Sequence, residues 1–207
     1  MQTAWLEAVI NRRHRILGRE LRPLCLAHSL FLTLAENPLW IGGRAAEPDD
    51  LIEAVHLCAL PVEHLFATQI VPSGVFGKIR HALWLAKAHR LTRKPAGFAA
   101  ALTAWNNFRA DHDNRPEFWE GEDGKAMTLR APSMLNLACY IENHSNMSEE
   151  QIWRAPLGAM LWKSAAIAEL RGESAANIMT EEELEIAREQ EAASSEQPQE
   201  GTSDGTE

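Results

Sequence analysis

The segment LCLAHSLFLTLA, from Leu24 to Ala35, is apolar on nearly every side when wound as a helix. A surface helix needs only one apolar stripe, whereas a helix without a polar face must be enclosed by other elements. The rest of the chain therefore has to supply a shell around it. The run is shorter than the roughly 20 residues that span a bilayer, and His28, Ser29 and Thr33 interrupt it. Pro23 precedes it, a residue that fits a first helical turn because its missing N–H would be unpaired there. Asn37 and Pro38 close it. The expectation is a central core helix.

The flanking sequence supplies the shell as short, proline-separated helices. Trp5, Leu6, Val9, Ile10 and Ile16 have the spacing of an amphipathic helix over residues 4–16. NPLWIGGRAAEPDD is a loop, after which Asp49 or Asp50 caps a helix over 51–60 that stops at Pro61. Val71-Pro72-Ser73-Gly74 is a turn, with Ser73 as cap of a helix through Arg90; Val75, Phe76, Ile79, Leu83, Leu85 and Ala86 mark its buried side. Pro95 starts a helix to about residue 111, with Phe98, Leu102, Trp105 and Phe108 three or four residues apart. Residues 111–133 are polar and too long for a tight connection, and Phe118 and Trp119 would pin that loop to the body.

A helix over 134–143 follows, then the capping box Ser148-Glu-Glu-Gln151. Pro156 opens a strong helix from Leu157 to Leu170. Thr180 begins a charged helix to about Gln190, and the Ser, Glu, Gln, Gly and Pro beyond Glu191 predict disorder. Only Gln69–Val71 and Met127–Arg130 offer brief strand pairing. Long matched helices favour an up-down bundle; these short ones predict an all-α, orthogonal array of about seven or eight helices with a disordered acidic C-terminal tail. The expected organisation is a helical domain over 1–172, an acidic helical extension over 173–190 and a tail over 191–207.

Charge divides along the same boundary. The whole chain carries −9, but from Glu173 to Glu207 eleven acids face one base, Arg188, leaving about +1 for residues 1–172. Two basic tracts lie inside that nearly neutral body. Arg12, Arg13, Arg15, Arg19 and Arg22 are opposed only by Glu20. Between His64 and Ala110 come Lys78, Arg80, Lys87, Arg90, Arg93, Lys94 and Arg109 with no Asp or Glu. Such tracts suit phosphate neutralisation, or a solvated helix face. Apolar residues precede the first arginines, the reverse of a secretory signal, and the three well-separated cysteines, Cys25, Cys58 and Cys139, read as buried thiols. Both point to a cytoplasmic protein.

No catalytic constellation emerges, so the expectation is a protein without enzymatic activity, metal or cofactor. Glu53-x-x-His56 is one carboxylate–imidazole pair on a helix face, whereas a di-iron bundle needs two such motifs. Pro72-Ser73-Gly74 lacks the GxSxG frame of a nucleophile elbow. Asp111, His112 and Asp113 are adjacent, and adjacent helical residues do not converge on one reacting atom. Seven tryptophans accompany a single tyrosine. Trp5, Trp84, Trp105 and Trp162 occupy helical core positions, while Trp40 and Trp119 fall in loops, where an exposed aromatic can anchor a partner.

The most distinctive stretch is MSEEQIWRAPLGAMLW: an acidic capped turn, Ile152 and Trp153 turned inward, then Pro156 and Leu157 opening the helix that carries Trp162. Over about 25 residues, Ser148 to Gly172, it resembles the corresponding segment of the tail assembly chaperones of long-tailed bacteriophages. The segment from Arg13 to Pro23 is similar to that of helical prophage proteins. The resemblance implies a cytoplasmic assembly factor of the bacterial host that binds the tape-measure protein and helps tail-tube subunits assemble around it. Trp40, Trp119, Ile152, Trp153, Pro156, Leu157 and Trp162 are then the expected partner contacts. Residues 1–130 have no counterpart in that family. Two alternatives stand beside it: a nucleic-acid-binding protein using tracts 12–22 and 78–109, and a structural component of a virion.

Overall fold

The computed structural model describes residues 12–67, 74–114, 116, 131–172, 183 and 185–188. The expected helix over 4–11, the Ser73 cap, Phe118 and Trp119, the pairings at 69–71 and 127–130, and the tail beyond 188 lie outside them. The expected acidic extension is described only at 183 and 185–188, which are helical.

The first element corrects the sequence reading. Residues 12–16 are not helical: β1 (Arg15–Ile16) pairs antiparallel with β2 (Arg19–Glu20), Ile16 opposite Arg19. The two-residue loop puts Leu17 at φ 48° and Gly18 at φ 81°, the positive pair that a type I′ hairpin turn requires and that glycine adopts without strain. Ile16 and Leu17 are buried, so Ile16, read as the last apolar position of a helix, enters the core from a hairpin instead.

Nine helices follow among the described residues between Leu26 and Leu170, making an all-α fold. They are α1 (Leu26–Leu34), α2 (Pro38–Ile41), α3 (Pro48–Ala59), α4 (Val62–Leu65), α5 (Val75–Thr92), α6 (Pro95–His112), α7 (Ser133–His144), α8 (Glu149–Arg154) and α9 (Leu157–Leu170). Prolines mark their starts: Pro38, Pro48 and Pro95 are first helical residues, and Pro61, Pro132 and Pro156 are caps. Helix α3 begins a turn earlier than the sequence suggests, and Asp50 still serves its end by accepting from the Glu47 N–H at 2.7 Å. The capping box of α8 is present, with Gln151 N–H donating to Ser148 Oγ and Ser148 N–H to Gln151 Oε1. Among the described residues no helix is long and apolar enough to cross a membrane.

Helix α1 is the hub, touching α2, α3, α4, α7 and α8. Leu24 through Ser29 are all buried, more than a full turn of helix without a solvent side. Its polar groups are satisfied locally: Ser29 Oγ donates to Cys25 O, and Thr33 Oγ1 to Ser29 O. Leu24 also receives the Leu157 N–H on its carbonyl at 2.8 Å, tying the start of α1 to the start of α9. The hairpin is held between α6, which β1 touches, and α3, which β2 touches.

Buried Asn37 ties α2 to α3. Its Oδ1 accepts from Leu39 N–H at 3.1 Å, and its Nδ2 donates to Asp50 O at 2.8 Å and Glu53 Oε2 at 3.1 Å. Asn37→Ala strands those partners, and a buried polar group left unpaired costs about 1–3 kcal/mol. Urea unfolding should show a loss of that size, while Asn107→Ala, at an exposed position on α6, should leave the midpoint unchanged.

Candidate binding surface on helix α5

Successive residues of a helix are about 100° apart, and α5 presents two opposite faces. Gly77, His81, Trp84, Leu85, Ala88 and Thr92 fall on one side; each is buried or half-buried. Phe76, Ile79 and Leu83 fall on the other and are 88%, 50% and 66% exposed. Val75, at the helix start, is 71% exposed. This overturns the expected buried side: of the six residues assigned to it only Leu85 packs against the core. The helix has apolar residues on both flanks, so periodicity could not choose between them. The core takes the side carrying His81 and Trp84, because these reach the hairpin. Lys78, Arg80, Lys87 and Arg90 are exposed along the same helix.

A cleft of about 620 Å³ opens where the inner side of α5 meets the hairpin and α3. Its centre is Arg19. The guanidinium carbon lies 3.6 Å from the Trp84 ring centroid, and the indole N–H donates to Leu17 O at 2.9 Å, fixing the ring against the hairpin turn. One guanidinium nitrogen bonds His56 Nδ1 and the other bonds His81 Nδ1, the latter at 3.0 Å. Arginine has no acceptor to offer, so both Nδ1 atoms accept. Both rings are therefore neutral, with their protons on Nε2. Burial, then Arg19, then His81 push His56 down to about 4; burial and Arg19 lower His81. Burial lowers Arg19 too, with Arg80 adding like-charge repulsion.

Of the two basic tracts, the cleft gathers Arg19 and Arg80, while Lys87 brings its ammonium near Gly18. The other arginines disperse. Arg12 pairs with Asp111 at 3.0 Å, Arg13 with Glu20 at 4.0 Å, and Arg15 donates to Gly18 O. Arg22 is exposed, as is Arg90 farther along α5. Arg109 donates to Leu39 O and lies over Trp40 at 5.7 Å, and Trp40 belongs to α2 rather than to a loop and is half-buried.

Ile152, Trp153, Leu157 and Trp162 are buried, and half-buried Pro156 bridges to Cys25, so this segment's apolar surface is used mainly inside the chain. Trp153 still edges a smaller cleft of about 330 Å³ beside Phe66, with Glu63, Glu149, Glu150 and Arg154 around it. Sequence reasoning missed His81 and the joining of His56 to Arg19. No local spacing links residues 19, 56 and 81.

Cys139, expected to be buried like Cys25 and Cys58, is exposed on α7, whereas other reactive-looking groups are turned to structural ends. Cys25 Sγ lies 3.0 Å from His28 Nδ1, but both are buried and burial pushes the thiol up to about 11, far from an activated nucleophile. Glu53 accepts from Asn37 while His56 faces Arg19, so the two do not share a site. Asp111 turns to Arg12 and His14, whereas His112 is buried against Phe108. Among the described residues no three His, Cys, Asp or Glu side chains gather as metal ligands.

Comparison with protein-family models, with curated proteins and with solved structures returns no match.

The depressed histidines set a pH dependence. His56 and His112 are each lowered to about 4, and burial lowers His28 as well. In the unfolded chain each takes up its proton near about pH 6.5, so the unfolded state binds more protons below that value. Stability is therefore lost as pH falls from about 6.5 towards 4. The urea midpoint should drop between about pH 7 and about pH 5, and His56→Gln should shrink that drop.

Proposed function

We propose that the protein is a non-enzymatic binding factor that uses the outer face of α5 to dock an acidic amphipathic helix of another protein. The observation that carries this reading is the exposed row Phe76, Ile79 and Leu83, on the side of α5 opposite its core contacts. Spacings of three and four are those by which helix-in-groove and helix-on-helix partners are anchored. Burying such a side chain is worth about 1.5–3 kcal/mol. Charge fixes the partner's character: Lys78 and Arg90 are exposed along the same helix, and no Asp or Glu occurs between His64 and Ala110.

The phage resemblance of Ser148–Gly172 gives this surface a natural partner. A tape-measure protein is long and helical, and a chaperone that holds it in the bacterial cytoplasm needs an apolar face for one of its helices. Ile152, Trp153, Leu157 and Trp162 are buried within the chain, which supports seeking the contact on α5 rather than on that segment. A second reading, nucleic-acid binding, is favoured by the meeting of Arg19 from one basic tract with Arg80 from the other.

Affinity capture from lysate of phage-producing cells, with bound proteins identified by mass spectrometry, separates these readings. The full chain should retain a long helix-rich tail protein, and Ile79→Asp with Leu83→Asp should release it, with affinity down about tenfold or more and Tm unchanged. Equal retention by both chains would move the contact elsewhere, and retention of nucleic acid alone would favour the second reading.

A further inference from the structure

We infer that the cleft between the hairpin and α5 binds a phosphate group, held by Arg19 and Arg80, with His56 and His81 positioning the Arg19 guanidinium. The inference does not rest on the outer face of α5, since the cleft lies on its inner side.

Arg19 is a half-buried cation whose contacts do not neutralise it. It is stacked on Trp84 and bonded to two neutral imidazoles. Among the described residues it has no carboxylate partner. A guanidinium has five N–H donors, and these imidazoles occupy two. A buried cation without a counter-charge is costly. Arg80, beside it, makes no hydrogen bond or ion pair among the described residues, and the two like charges repel. Glu20 also borders the cleft, but its carboxylate lies 4.0 Å from Arg13. A net positive charge remains, and an anion would relieve it.

Donor geometry narrows the anion. Arg19 holds both Nδ1 atoms. The cleft thus offers the remaining N–H groups of the Arg19 guanidinium and a second arginine, with the two imidazoles holding Arg19 in place. Arginine matches phosphate oxygens bidentately, and a tetrahedral dianion accepts from more directions than a planar carboxylate. Arg19 already covers one face of Trp84, so that face is not available for stacking a nucleobase. Recognition is of the phosphate. The volume of about 620 Å³ is within the range of small-molecule sites, which leaves room for a phosphate carried by a larger molecule. A free phosphorylated metabolite and a nucleic-acid backbone share this chemistry.

The test is a titration of the full chain with inorganic pyrophosphate near neutral pH at constant ionic strength. It is read from the imidazole NMR signals of His56 and His81, assigned with His56→Gln and His81→Gln. Both signals should shift saturably. Arg19→Gln should abolish the shift. Arg80→Gln should weaken binding about tenfold or more, the value of a charged hydrogen bond. Arg90→Gln, outside the cleft, should change nothing. Arg19 also packs the hairpin, so Arg80→Gln, which removes no contact within the fold, keeps the test decisive if Arg19→Gln misfolds. No saturable shift at millimolar pyrophosphate, or equal weakening by Arg90→Gln and Arg80→Gln, would overturn the inference. A short single-stranded oligonucleotide that displaces pyrophosphate with steep salt dependence identifies a nucleic-acid backbone as the source; one that does not displace it identifies a free phosphorylated ligand.

Discussion

The burial of the first turn of α1 on all sides organises the molecule. Leu24 through Ser29 leave no solvent side, so α2, α3, α4, α7 and α8 are drawn around one short helix. Enclosure on that scale is stable only if the polar atoms inside find partners. Ser29 and Thr33 bond back along the helix, and His28 Nε2 lies 3.0 Å from Leu60 O, where an N–H can donate. His28 thereby links α1 to the end of α3, and burial keeps its imidazole neutral. The residues that interrupt the apolar run serve as its fasteners.

A second, smaller junction joins the hairpin to α5. Trp84 receives Arg19 on its face and donates its indole N–H to Leu17 O, so one side chain secures both the turn and the strand that follows. This junction decides which side of α5 faces inward. Once His81 and Trp84 turn towards the hairpin, Phe76, Ile79 and Leu83 are left on the opposite side with no element of the described chain over them. The phosphate-binding cleft and the exposed apolar row are therefore two consequences of one packing choice.

Most of the helical punctuation was legible because its causes are local. Proline at the starts of α6 and α9, Ser148 with Gln151 as a capping box, and the apolar spacing of those two helices act within a few residues, and the structure reproduces them. Pro23, read as a first-turn residue, lies ahead of the Cys25 cap of α1. The candidate site was only half legible. Its charges were visible as two basic tracts, but a tract does not say which arginine will be held. Arg12 and Arg13 find carboxylates, while Arg19 meets two imidazoles distant in sequence.

By itself the sequence determined the all-α class, the central helix and the approximate bounds of the longer helices, since these follow from propensity, capping and the need to bury an all-apolar run. The short α2, inside a stretch read as a loop, and α4 were not read from it. Tertiary structure decided the rest. The hairpin at Ile16–Arg19 has no local signal beyond Gly18, and the inward side of α5 is a case where apolar residues on both flanks fit two answers. Only the fit of Trp84 and Arg19 against the hairpin selects between them, and that contact spans more than sixty residues of chain.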